Sequence, residues 1–198
     1  MFIPPRAPAP LPCPAGTRKD PSLTVMTSES QCLVCPVGTF CPVGSANETD
    51  CAPGTYNPIA EQETCTNCEA GKYNDQLGQT ACTICPAGSF CPEGTPVPVR
   101  CPAGTRRADT GAGEICDCHH CGAGKMCNTG SVTAGEECPK GFYCPGQQSS
   151  TYNPLANCTP ASACGVYSLP VPCPAGTHQN LSGQNSLASC KRCGEVNG

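Results

Sequence analysis

Apolar residues along this chain of 198 never hold a helical period for long. No run of ten residues keeps a 3.6-residue apolar repeat without interruption by Pro, Gly or Cys. Large side chains come instead one at a time, two residues after the glycine of a Cys-x-x-Gly step: Phe40, Tyr56, Tyr73, Phe90, Met126 and Tyr143. Such a pattern predicts short irregular strands and turns, each large side chain covering a local disulfide as a miniature core. Nine sub-units open with this step, at Gly16, Gly38, Gly54, Gly71, Gly88, Gly104, Gly124, Gly141 and Gly176. Glycine at that offset suits a tight turn needing positive φ. Proline directly after the cysteine, as at Pro14, Pro36, Pro86, Pro102, Pro139 and Pro174, narrows the alternatives.

The steps form a repeat array. Cys32, Cys35, Cys41 and Cys51 return 50 residues later as Cys82, Cys85, Cys91 and Cys101. Cys118, Cys121, Cys127 and Cys138 form a third set 36 to 37 residues further on. Long sub-units read C-x13-18-C-x2-C and short ones C-x5-C. The organisation expected is a proline-rich polyproline II lead-in at 1–12, repeats at 13–50 and 51–100, and a shortened repeat at 101–137. Divergent units follow at 138–172, then a last long unit at 173–198. The fold class is therefore small disulfide-rich repeats: an elongated rod of short strands and turns, with little or no helix and no single hydrophobic core.

Composition explains why such a chain needs covalent help. Val, Ile, Leu and Phe supply 26 residues, about 13%, and there is no Trp. That lies below the roughly 20% at which a conventional apolar core becomes doubtful. Cysteine, with 22 residues, can take its place in an oxidising, extracellular setting. Eleven basic against 15 acidic residues, a net charge of −4, argue against nucleic acid as a partner. No apolar run approaches the roughly 18 residues of a membrane helix, so insertion by this segment is not expected. The start, Met1-Phe2-Ile3-Pro4-Pro5, has no apolar h-region, which suggests an internal stretch of a longer exported polypeptide.

The motif C-P-x-G-[TS]-x-x…C-x-x-C-P-x-G, running from Cys13 to Cys193, resembles the ephrin-receptor-like cysteine-rich repeat, a relative of tumour-necrosis-factor-receptor modules. The added element at Cys35-Pro36-Val37-Gly38-Thr39-Phe40-Cys41-Pro42-Val43-Gly44 and at Cys85 to Gly94 is similar to that of large surface proteins of protists and algae, including mastigoneme-like ones. The resemblance implies an extracellular, non-enzymatic disulfide-ladder stalk. The simplest ladder pairs neighbours: Cys13–Cys32, Cys35–Cys41, Cys51–Cys65, Cys68–Cys82, Cys85–Cys91, Cys121–Cys127, Cys138–Cys144, Cys158–Cys164 and Cys173–Cys190. Cys101–Cys118 is the repeat-consistent choice for the remaining long unit. Cys116 and Cys193 are left over, unpaired or joined to a partner outside the stretch, and Cys116 could instead replace Cys118.

One cluster resembles a metal site. Cys116, Cys118, His119, His120 and Cys121 put three thiols and two imidazoles within six residues, a donor set that zinc accepts. The Cys-x-x-Cys inside it coincides with the repeat junction, and the histidines fill its variable positions, so a surface junction is the preferred reading and no cofactor is expected. His178 occupies another variable position, no catalytic constellation emerges, and the chain is not expected to be an enzyme. N-glycosylation sequons stand at Asn47, Asn157 and Asn180; the second carries cysteine at its middle position, which counts against it. Pro8 and Pro10, alternating with alanine, are candidate O-glycosylated hydroxyprolines, with a plain stiff linker as the equal alternative. The functional expectation is a structural component of an extracellular filament, appendage or cell-surface coat. It would self-associate or join other structural proteins; a ligand-binding receptor stalk is the alternative.

Overall fold

The computed structural model describes residues 12–24, 26, 28–146 and 169–194. Cys158, Cys164, Asn157, Pro8 and Pro10 lie outside them. Among the described residues there is no α-helix, only single 3-10 turns at Glu29–Gln31, Ile115–Asp117 and Leu187–Ser189. All strands among the described residues pair in two-stranded antiparallel sheets, one after each of the nine steps that open a sub-unit. Thr17–Lys19 pairs with Cys32–Val34, Thr39–Phe40 with Thr49–Asp50, and Thr55–Tyr56 with Thr66–Asn67. Lys72–Tyr73 pairs with Thr83–Ile84, Ser89–Phe90 with Val99–Arg100, and Thr105–Arg106 with His119–His120. Lys125–Met126 joins Glu136–Glu137, Phe142–Tyr143 joins Val171–Pro172, and Thr177–His178 joins Lys191–Arg192. These are small disulfide-rich repeats.

The local sequence dictates how each hairpin begins. The N–H of the residue after glycine returns to the carbonyl three residues back, as Thr17 to Pro14, Thr55 to Ala52 and Thr105 to Pro102. All nine step glycines have positive φ, between 75° and 87°, the requirement of a type II turn at its third residue. Threonine is favoured next because its hydroxyl donates to the same carbonyl, at 2.7–2.8 Å for Thr17, Thr39, Thr55, Thr105 and Thr177. The glycine carbonyl then accepts from the N–H of the cysteine that opens the next sub-unit, from Gly16 with Cys35 to Gly176 with Cys193.

The chain divides into two compact units, Met1–Cys68 with Tyr73–Thr83 and Gly94–Val97, and Glu69–Lys72 with Ile84–Glu93 and Pro98–Gly198. The same bonding scheme runs through each. In the first, Gly16, Gly38 and Gly54 donate their N–H groups to the carbonyls of Cys41, Asn57 and Asn74, each three residues past the next step glycine. In the second, Gly71, Gly88, Gly104, Gly124 and Gly141 do the same with Cys91, Arg107, Cys127, Cys144 and Gln179. A loop residue of the following sub-unit donates back to the opening cysteine: Gly44 to Cys13, Glu61 to Cys35, Gly111 to Cys85, Gly130 to Cys101.

Contacts also skip a sub-unit. A Cβ added to Gly38 would fall on the carbonyl oxygen of Gly78, one at Gly54 on that of Gly94, and one at Gly88 on that of Gly130. These three step glycines therefore face a turn two sub-units on, whereas Gly141 and Gly176 meet no such turn, and nearest-neighbour contacts alone do not describe the packing.

Burial shows what replaces a core. Among described hydrophobic residues the buried ones are cysteines and Ala112. Phe40, Tyr56, Tyr73, Phe90, Met126 and Tyr143 are only half-buried, so the sulfur itself fills the interior and the larger side chains flank it. Leu77, Val43, Val97 and Ile59 are exposed.

Candidate functional site

The chemistry of this chain is concentrated in its cystines. Nine disulfides join described residues: Cys13–Cys32, Cys35–Cys41, Cys51–Cys65, Cys68–Cys82, Cys85–Cys91, Cys101–Cys118, Cys121–Cys127, Cys138–Cys144 and Cys173–Cys190. Their Cα atoms lie 5.7–6.3 Å apart. In long sub-units the bridge ties the opening cysteine to the end of the hairpin, whereas in short ones it closes six residues. Cys193 is free and exposed, with its N–H held by Gly176 just as that of Cys173 is held by Gly141.

Cys116 requires a correction. It is disulfide-bonded, not left over. The 3-10 turn at Ile115–Asp117 absorbs the extra residue, so Cys118 keeps the register and pairs with Cys101. Cys116, Cys118 and Cys121 therefore carry no thiol to ionise, and the donor set read as a zinc candidate loses its three sulfur ligands. The histidines go to different surroundings: His119 opposes Arg106 and is exposed, while His120 opposes the buried Thr105.

Both ring nitrogens of His120 are buried without a hydrogen-bond partner. Burial, followed by the neighbouring His119, holds its pKa below the ordinary imidazole value of 6.5. The unfolded chain thus takes up the proton first as pH falls, so this group's contribution is fully present above 6.5 and declines below it. Protection of the amides in the 105–106/119–120 hairpin, relative to the intrinsic exchange rate at each pH, is expected to fall between neutral and mildly acidic pH, and His120→Gln to flatten that dependence.

Residues that pattern reading passed over stand six positions after the opening cysteine. Short sub-units place a bridging cysteine there, at Cys41, Cys91, Cys127 and Cys144, whereas three long ones place Asn57, Asn74 or Gln179 and the other two place Lys19 and Arg107. Asn57 is 1% exposed and its amide donates to the Thr39 carbonyl at 2.8 Å and the Thr64 carbonyl at 3.1 Å. Asn74 donates to the Thr55 carbonyl at 2.9 Å, and Gln179 to that of Ser189 at 2.6 Å. The carboxamide thus does by hydrogen bonds what a second cysteine does covalently. The signal was available in the shared offset, but nothing in a lone asparagine announces burial. Asn57→Ala leaves the buried Thr39 carbonyl and that of Thr64 without this donor and is expected to cost about 1–3 kcal/mol in thermal unfolding.

Glu61 is the other position that stands out. It has φ of 65°, the one non-glycine residue in the left-handed region among the described residues. Gly44, Gly78, Gly94, Gly111, Gly130 and Gly183 hold the equivalent turn in other sub-units, all at positive φ. Left-handed backbone costs an L-residue roughly 1–2 kcal/mol, partly offset by the greater chain entropy of glycine when unfolded. Glu61→Gly is expected to raise the unfolding midpoint, a gain visible by calorimetry.

Asn47 and Asn180 are both exposed, Asn47 in the loop between paired strands and Asn180 next to the buried Gln179. The exposed His178 opposes Lys191.

Residues 54–96 match the family model described as tyrosine-protein kinase ephrin type A/B receptor-like. The matched stretch begins at a step glycine and includes Cys65, Cys68, Cys82, Cys85 and Cys91, one long sub-unit and one short. No curated protein matches the chain. Together with the ladder, the match makes this an extracellular type of cysteine-rich repeat. Among the described residues no helix is long and apolar enough to cross a membrane.

Proposed function

We propose that this chain is a structural segment of an extracellular filament, appendage or cell-surface coat, glycosylated at Asn47 and Asn180 and without enzymatic activity. What carries the reading is the single bonding scheme repeated in sub-unit after sub-unit, with cystine in place of an apolar core. Such a scheme suits a load-bearing role. Each covalent loop limits how far a sub-unit can be drawn out, and the backbone bonds to the next sub-unit resist shear. A ligand-binding receptor stalk is the second reading, favoured by the receptor-like description of the matched family.

Electron microscopy of native material under non-reducing conditions tests the choice. Filaments with a regular axial repeat are expected; monodisperse particles bound to a protein ligand would favour the stalk. Intact mass before and after glycosidase treatment tests the two asparagines, with loss of glycan from Asn47→Gln and Asn180→Gln as the expected result.

A further inference from the structure

One group of charged side chains is not met by the chain's own carboxylates. Among the described residues the ion pairs are Arg18–Glu48, Lys72–Glu69 and Lys125–Glu137. Arg100, Arg106 and Arg107 have no carboxylate within 4.0 Å among those residues, although the chain as a whole is acidic. The fold gathers these three around one hairpin and the turn beside it. Arg106 lies opposite His119 in the hairpin and makes a parallel bridge to Ser131. The side chain of Arg100 crosses Gly130, the residue before that serine, with its Cδ 3.3 Å from where a Cβ would stand. Arg107 is held in place by two carbonyls and an imidazole: Nη1 donates to the Asp117 carbonyl at 3.3 Å and lies 3.3 Å from Nε2 of His119, and Nε donates to the Asp109 carbonyl. The nearby Asp117 carboxylate is turned away, accepting from the N–H groups of Gly113 and Glu114 at 2.8 and 3.0 Å.

We propose that Arg100, Arg106 and Arg107, beside His119, form a binding surface for an acidic extracellular polysaccharide bearing sulfate or carboxylate groups. Guanidinium groups match planar and tetrahedral oxyanions through paired N–H donors, and these three are not already engaged by carboxylates. Several anions spaced along one polymer would meet arginines contributed by more than one sub-unit. Residues 100–131 contain no Phe, Tyr or Trp on which a base could stack, which disfavours single-stranded nucleic acid. The proposal does not depend on whether the chain is a filament segment or a stalk.

The test uses the whole oxidised chain, with dextran sulfate and uncharged dextran as probes at neutral pH and about 20 mM salt, where surface charges are weakly screened. Expected are binding to dextran sulfate alone and a log affinity falling against log salt with a slope of roughly −2 to −3, as for two or three released counterions. Arg100→Gln/Arg106→Gln/Arg107→Gln should weaken binding by about tenfold or more. Lys191→Gln/Arg192→Gln, an equally uncompensated basic pair on the last hairpin, should leave it nearly unchanged. Disulfide mapping of each variant verifies that the ladder is intact. Absent binding by the native chain, an unchanged affinity in the triple variant, or an equal loss in the control pair would overturn the proposal. So would equally tight binding of a single-stranded oligonucleotide.

Discussion

Reduction of the disulfides is expected to unfold this protein completely at room temperature and neutral pH. In most globular domains the cystines supplement an apolar core, but among the described residues the buried hydrophobic ones are cysteines of the bridges and Ala112. In the chain-entropy model, loops closed over six residues contribute about 2 kcal/mol and those over 14 to 19 residues about 3 kcal/mol. A domain's whole net stability is about 5–15 kcal/mol, so losing three or four bridges is enough. The two-residue strands cannot persist alone, since an isolated hairpin is marginal even at greater length. Reduced and alkylated protein should give a collapsed amide dispersion and rapid hydrogen exchange throughout. A native-like spectrum surviving reduction would mean that the backbone scheme is self-sufficient. Selective loss of one bridge, as in Cys68→Ser/Cys82→Ser, should instead open its own hairpin first, because that bridge spans a single sub-unit.

The second large effect separates two burdens that glycine carries. Gly38→Ala forces a side chain into φ of 77°, and its Cβ would collide with the Gly78 carbonyl two sub-units away. Gly176→Ala imposes the same backbone conformation, φ of 82°, with nothing within 4 Å of the new methyl. The second change is expected to cost only the conformational term, roughly 1–2 kcal/mol. The first adds a steric term against backbone that cannot move aside cheaply, and a total above about 3 kcal/mol is expected. Thermal unfolding of the two variants side by side measures the difference, and equal destabilisation would refute the packing role. The loss at Gly38 should also quicken amide exchange in the fourth sub-unit, where Gly78 sits, although no residue there was altered.

Much of this was legible in the residues. The Cys-x-x-Gly step fixes the turn by local sterics, and threonine after it follows from the hydroxyl that returns to the same carbonyl. Absence of long helix follows from the density of Pro, Gly and Cys. Cys116 was misread because counting cysteines along a line treats an insertion as a surplus, whereas a 3-10 turn takes up the residue without disturbing the Cys101–Cys118 register. Asn57 and Asn74 went unremarked because their partners, the carbonyls of Thr39 and Thr55, belong to the preceding sub-unit.

The sequence alone therefore determined the turn type after each opening cysteine, the short strands, and the export-type chemistry that such a composition demands. Tertiary structure decided what lies across sub-units: the step glycine packed on a turn two sub-units on, the left-handed strain carried by Glu61, and three arginines brought round one hairpin. The physical reason is range. Turn sterics and short loops act between near neighbours in the chain, while close backbone approach and charge clustering depend on which distant segments the ladder brings side by side.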